Sequence, residues 1–203
     1  MKLVRQATPK RLIVGISGAS GAELGIQLLQ AMQRQPEWET HLVISDGARR
    51  TIRLETAYSV EQIKALATHC HPLDDIGAGI ASGTFKTEGM VVVPCSMKTV
   101  AGIAHGYSQN LLLRAADVVI KERRKLVLVA RESPLSTVHL NNLLILANAG
   151  AVILPPVLTY YHRPATIKDM AAHIVGKILD VFGIEFADFK RWNPDSSSTP
   201  PRS

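Results

Sequence analysis

Short aliphatic and β-branched runs recur along the chain, each closed by Gly, Ser or Pro and followed by a stretch whose apolar residues return every three to four positions. The runs at 11–16, 40–45, 90–94, 125–130 and 151–154 predict strands. Helices are predicted at 23–33, at 59–68, where Ser59 and Gln62 have capping-box spacing, and at 108–123, with apolar positions 111, 112, 115, 118 and 119 on one face. Two more are predicted at 136–148, opening on Ser136, and from Thr166 to Gly183, with Ile167, Met170, Ile174, Ile178 and Val181 on one stripe. Strands alternating with helices give an α/β doubly wound parallel sheet with helices on both faces, whose ligand crevice lies at the carboxyl ends of the strands.

Length and composition narrow this picture. At 203 residues the chain holds one domain, expected over 1–192, and the Pro/Ser-rich 193–203 reads as a disordered tail. The basic N-terminus before the first apolar run reads as a short leader into a strand. No apolar run approaches the roughly 18 to 20 residues of a membrane span. Two cysteines are too few for a disulfide framework, so the expected compartment is the cytoplasm. The net charge of +6 suits nucleic acid or a phosphorylated small molecule. The densest basic cluster, 121–125, is broken by Glu122 and lies between a helix and a strand pattern, which argues against nucleic acid.

The strand ends hold the candidate chemistry. Gly15, Gly18 and Gly21 follow the first strand, a turn that brings backbone close to a ligand and presents a helix N-terminus to phosphate, though its spacing is neither the dinucleotide nor the Walker pattern. Ser45 and Asp46 end the second strand and also suit a plain turn. After the third come Cys95, Ser96, Met97, Lys98 and Thr99, whose hydroxyls and amides suit a polar ring edge or phosphate; Cys95 reads as a small buried thiol rather than a nucleophile. Arg131 and Glu132 close the fourth strand, either as a phosphate grip with a proton donor or as an ion pair. Lys121 ends a helix, Tyr161 follows the last strand, and Lys177 borders the apolar stripe of the last helix. His69-Cys70-His71 lacks a second ligand pair at zinc spacing and reads as a helix end, so no metal is expected. Together these residues point to an enzyme acting on a phosphorylated ligand held by Lys and Arg.

Gly15 to Gly21, Leu54-Glu55-Thr56, Ser82 to Phe85, Val93 to Thr99, Arg114 to Leu140 and Tyr161 to Pro164 together resemble the UbiX-type flavin prenyltransferases, once labelled phenylacrylic acid decarboxylases. The resemblance spans about residues 11–192. It implies a flavodoxin-like, Rossmann-like fold, a dodecamer, and transfer of a dimethylallyl group from dimethylallyl phosphate to N5 and C6 of reduced FMN without a metal. The product, prenylated FMN, would serve a partner UbiD-type decarboxylase. Carried over position by position, Gly18, Ala19, Ser20, Ser45, Ser96, Met97, Lys98, Thr99 and Arg131 would contact FMN. Lys121, Arg131, Glu132, Tyr161 and Lys177 would grip the prenyl phosphate, with Tyr161 and Lys177 from a neighbouring subunit. Ser20 and Glu55 would handle protons near N5, and Glu132 and the cationic groups would assist phosphate departure. The chain departs from the family at Ile76, where some relatives have an aromatic residue, at Lys177, where others have Arg, and at Asn141, often Glu. The competing readings are a flavin-dependent cysteine decarboxylase and a non-catalytic flavin carrier.

Overall fold

The computed structural model describes residues 9–192. The expected tail at 193–203 and most of the leader lie outside them. The described residues form two compact units that divide after Pro156.

The first unit is a six-stranded, all-parallel sheet in the order β3-β2-β1-β4-β5-β6. Its strands are β1 (Lys10–Ile16), β2 (Trp38–Ile44), β3 (His69–His71), β4 (Gly89–Cys95), β5 (Lys125–Ala130) and β6 (Val152–Ile153). The helices are α1 (Ala22–Met32), α2 (Asp46–Glu55), α3 (Val60–Lys64), α4 (Met97–Ala104), α5 (Leu111–Lys121) and α6 (Thr137–Asn148). All of β4 is buried, as a parallel strand covered on both faces must be, which explains its unbroken apolar run. The five expected strands are present, and Ser59 with Gln62 and Ser136 with His139 form the capping boxes that start α3 and α6. The order reverses between β1 and β4, the topological switch point at which such sheets bind ligands.

Two elements differ from expectation. His69-Cys70-His71 is not a helix end but the edge strand β3, paired in parallel with His41 to Val43; a polar three-residue edge strand has no apolar run to betray it. Residues 46–55, of which only Asp46 reads, with Ser45, as suiting a turn, form α2, where just Ala48 and Ile52 are buried. Two members of the basic cluster are engaged within the unit: Arg124 donates to the carbonyls of Gly83 (2.6 Å) and Phe85 (2.8 Å), and Lys121 pairs with Glu122.

The second unit contains α7 (Ile167–Phe182), capped by the Thr166–Asp169 box and ended by Gly183 at φ 70°. Ile174 and Ile178 of the expected stripe are buried, whereas Ile167 is exposed. No helix among the described residues is long and apolar enough to cross a membrane.

Candidate active site

The crevice at the switch point is organised by Ser17, a buried residue just past β1. Pro94 of β4 has no N–H to give the ladder, and the β4–β5 register shifts between Val92 and Cys95. The Pro94 carbonyl accepts the Ser17 N–H (3.1 Å) and the Ser17 hydroxyl (3.0 Å). Ser17 Oγ in turn accepts the N–H of Ser96 at 2.8 Å. One small side chain thus locks the ends of β1 and β4 together. The Arg131 N–H donates to the Cys95 carbonyl at 3.0 Å, bringing the end of β5 alongside.

Around this hub the expected flavin-contacting residues converge. Gly18 lies so close to Gly47 that a Cβ on it would come within 2.8 Å of the Gly47 Cα, so only Gly lets the first turn and the start of α2 meet. Ser45 caps α2, accepting the Ala48 N–H at 3.1 Å, and Ser96 caps α4, with its Oγ 3.1 Å from Thr99 Oγ1. The Ser45 hydroxyl accepts from the chain and keeps its own proton for an outside acceptor, whereas Ser96 and Thr99 share one hydroxyl bond and so offer one proton between them. Gly18, Ala19, Ser20, Ser45, Ser96, Met97, Lys98, Thr99 and Arg131 therefore occupy four adjoining strand ends, those of β2, β1, β4 and β5.

The α1 N-terminus differs from its reading as an open phosphate cradle. Glu55, at the end of α2, accepts the N–H groups of Gly21 (2.8 Å) and Ala22 (3.3 Å), so a carboxylate of the chain already sits on the positive end of the helix. Glu55 thereby lies next to Ser20, the residue with which the resemblance pairs it.

Arg131 and Glu132 are exposed at the end of β5. No ion pair joins them among the described residues, and Glu132 Oε1 instead accepts the Ser133 N–H at 3.0 Å. The guanidinium and the carboxyl thus both stand exposed just past the end of β5 without neutralising one another. Lys121 is not with them. It ends α5, at the amino-terminal end of β5, and the strand's six residues put it on the order of 20 Å from Arg131. In the second unit, the Tyr161 hydroxyl lies 3.4 Å from His173 Nε2, and Lys177 is an exposed residue of α7. Burial, with His162 and Lys177 adding to it, lowers the pKa of His173.

Cys95 is fully buried, and desolvation pushes its thiol far above the usual range. It is packing, as expected, not a nucleophile. Sequence reasoning missed Ser17, although it alternates with Ile16 at a strand end beside the Gly turn.

The fold is shared by flavin enzymes of more than one chemistry, including the FMN-dependent cysteine decarboxylase SpaF, at 17% identity and TM-score 0.60, a likeness of fold alone. Much greater similarity is found elsewhere. The Flavoprotein family model matches residues 2–181. The Escherichia coli K12 flavin prenyltransferase UbiX is 52% identical over 185 residues, covering 90% of this chain and 98% of that protein. The crystal structure of AnUbiX (PadA1) in complex with FMN and dimethylallyl pyrophosphate matches at TM-score 0.90 and 49% identity, over 91% of this chain and 98% of that one. The dodecameric FMN-dependent UbiX-like decarboxylase from E. coli O157:H7 matches at TM-score 0.89 and 52% identity, over 90% and 99%. With its switch-point crevice and this degree of similarity along nearly the whole chain, the protein belongs to the flavoprotein family and, within it, to the UbiX-like flavin prenyltransferases.

Proposed function

We propose that this protein is a metal-independent flavin prenyltransferase that joins the dimethylallyl group of dimethylallyl phosphate to reduced FMN and supplies the product to a UbiD-type decarboxylase. The observation that carries the reading is Arg131 and Glu132, held beside the flavin-type crevice and not neutralising one another. A cysteine decarboxylase, which oxidises a thiol, has no use for such a phosphate grip.

The crevice fits a flavin phosphate and ring. The Gly18–Gly47 contact leaves backbone without side-chain bulk, and Ser45 and the hydrogen-bonded Ser96–Thr99 pair each offer a hydroxyl proton at a helix start. Bound reduced FMN supplies the electron-rich ring that takes up the five-carbon group. The chain supplies the rest. Arg131 holds phosphate oxygens through its fork of N–H donors, and Glu132 holds the proton that goes to the departing phosphate. Cationic groups around that phosphate stabilise the charge that develops as the carbon–oxygen bond breaks. Glu55, fixed on the α1 amides, and Ser20 hold a proton at the inner end of the crevice.

Lys121 belongs to the grip only if another copy of the chain presents it, and we assign Tyr161 and Lys177 likewise to a neighbouring subunit. The outer surface of α6 supports such an assembly: Val138, Leu140, Leu144 and Ile145 are all between 43% and 66% exposed, an apolar face that copies of the chain would cover in a dodecamer. With both cysteines free, the protein works in the cytoplasm.

Anaerobic incubation of the protein with reduced FMN and dimethylallyl phosphate, followed by mass spectrometry of the released flavin, tests the reading. A gain of one five-carbon unit is expected. An unchanged mass with reduced FMN shown to be bound would leave a flavin carrier, and oxidation of a cysteinyl peptide instead would make it a cysteine decarboxylase.

A further inference from the structure

The parallel register of β2 and β3 sets His41 opposite His69, with Glu39 and His71 two residues away on either strand. Alternation puts Glu39 and His41 on one face of β2 and His69 and His71 on one face of β3. The His41 ring stacks on those of His69 (4.7 Å between centroids) and His71 (5.3 Å), with the Phe85 ring edge-on at 5.2 Å. One ligand atom each from Glu39, His41 and His69 lies within 4.8 Å of the other two.

An independent observation marks a missing partner. His41 is 96% buried, and its Nδ1 lies 3.0 Å from His71 Nε2, yet its Nε2 is buried with nothing to bond. A buried ring nitrogen without a partner forfeits the hydrogen bond that water would give it, so such groups in folded chains are normally satisfied. Glu39 gives one oxygen, Oε2, to Arg11 Nε at 2.9 Å and keeps the other. Arg11, lying over the Phe85 ring at 4.8 Å, fixes the carboxylate as outer partners of metal ligands do.

We propose that Glu39, His41 and His69 form a site for one divalent first-row transition ion of zinc type at the β2–β3 edge, apart from the flavin crevice. Three nitrogen and oxygen ligands leave a fourth tetrahedral position for water. His71 is a positioning residue: with His41 Nε2 on the ion, its Nδ1–H donates to His71 Nε2, the outer bond that sets ring orientation. Cys70 lies between the two histidines on the opposite face of β3 and takes no part. The helix-end reading of His69-Cys70-His71 gives way to an edge strand, and the ligands proposed here come from two strands, a pairing that spacing along one segment does not display.

The test uses full-length protein without an affinity tag, stripped by chelator and dialysed against micromolar zinc. One zinc per chain is expected by elemental analysis, and unchanged in the control His162→Ala. Removing the exposed ligand with His69→Ala, or the carboxylate charge with Glu39→Gln, should weaken zinc affinity at least about tenfold by calorimetric titration. X-ray absorption of the zinc-loaded protein should show nitrogen and oxygen neighbours with imidazole scattering. Failure to retain zinc, undiminished affinity in His69→Ala, or sulfur in the first shell would overturn the assignment.

Discussion

The carboxylate of Glu55 sits on the backbone of Gly21, its Oε2 2.8 Å from the amide nitrogen and 3.3 Å from that of Ala22. It therefore serves two purposes, satisfying unpaired donors at the α1 N-terminus and standing beside Ser20. Glu55→Ala should cost about 1 kcal/mol in urea denaturation, the scale of a lost helix cap. Glu55→Gln keeps an acceptor oxygen but not the charge, so stability should hold within about 0.5 kcal/mol while prenylation slows at least about tenfold. Equal turnover in the Gln variant would reduce Glu55 to a cap.

Glu132 is anchored through one oxygen by the Ser133 amide and has no ion pair with Arg131. Glu132→Gln should leave flavin content unchanged and cut prenylation by about 10²-fold, the usual scale for a proton donor. Single-turnover measurement with reduced FMN separates this from slow product release, and wild-type rates would remove Glu132 from the chemistry.

The hub at Ser17 couples stability to flavin binding. Ser17→Ala strands the Ser96 N–H and one bond to the Pro94 carbonyl, a loss of about 1–3 kcal/mol. Gly18→Val drives a Cβ into Gly47 backbone and should lower bound FMN, read from the absorbance of purified protein. Bulky residues at Ser45 or Ser96 should do the same. Full flavin occupancy in all of these would place the flavin elsewhere.

The apolar face of α6 predicts a dependence of activity on assembly. Leu144→Glu introduces charge at a position 59% exposed in the single chain, so folding should survive while light scattering reports smaller particles. Prenylation should fall with assembly, because Lys121 lies at the far end of β5 from Arg131. Full activity in a monomeric variant would mean that Lys121 is dispensable.

Thiol chemistry separates the two cysteines. Desolvation raises the pKa of both, that of buried Cys95 most, so its thiolate is scarce at pH 8 and a reagent cannot reach it. Iodoacetamide at that pH should label Cys70 alone until denaturant is added, and Cys95→Ala should prenylate normally. Rapid native labelling of Cys95 would reopen its role as a nucleophile.

The amino-acid order alone determined the βα alternation, five of the strands, most of the helix caps and the residues lining the crevice, because apolar periodicity and Ser, Thr or Gly punctuation are local signals. Ser59, Ser136 and Thr166 start their helices as their spacing predicts. Where burial is slight the local signal fades: α2 buries only Ala48 and Ile52, and β3 is three polar residues at an edge. Glu55 was named by resemblance, since its contact with Gly21 spans 34 positions of chain. Tertiary structure alone decided that this carboxylate occupies the α1 terminus, that Arg131 and Glu132 form no ion pair, that Lys121 lies at the other end of β5 from them, and that His41 meets His69 beside Glu39. Such relationships depend on strand order and register, which the chain acquires only when distant segments bury their apolar faces against one another.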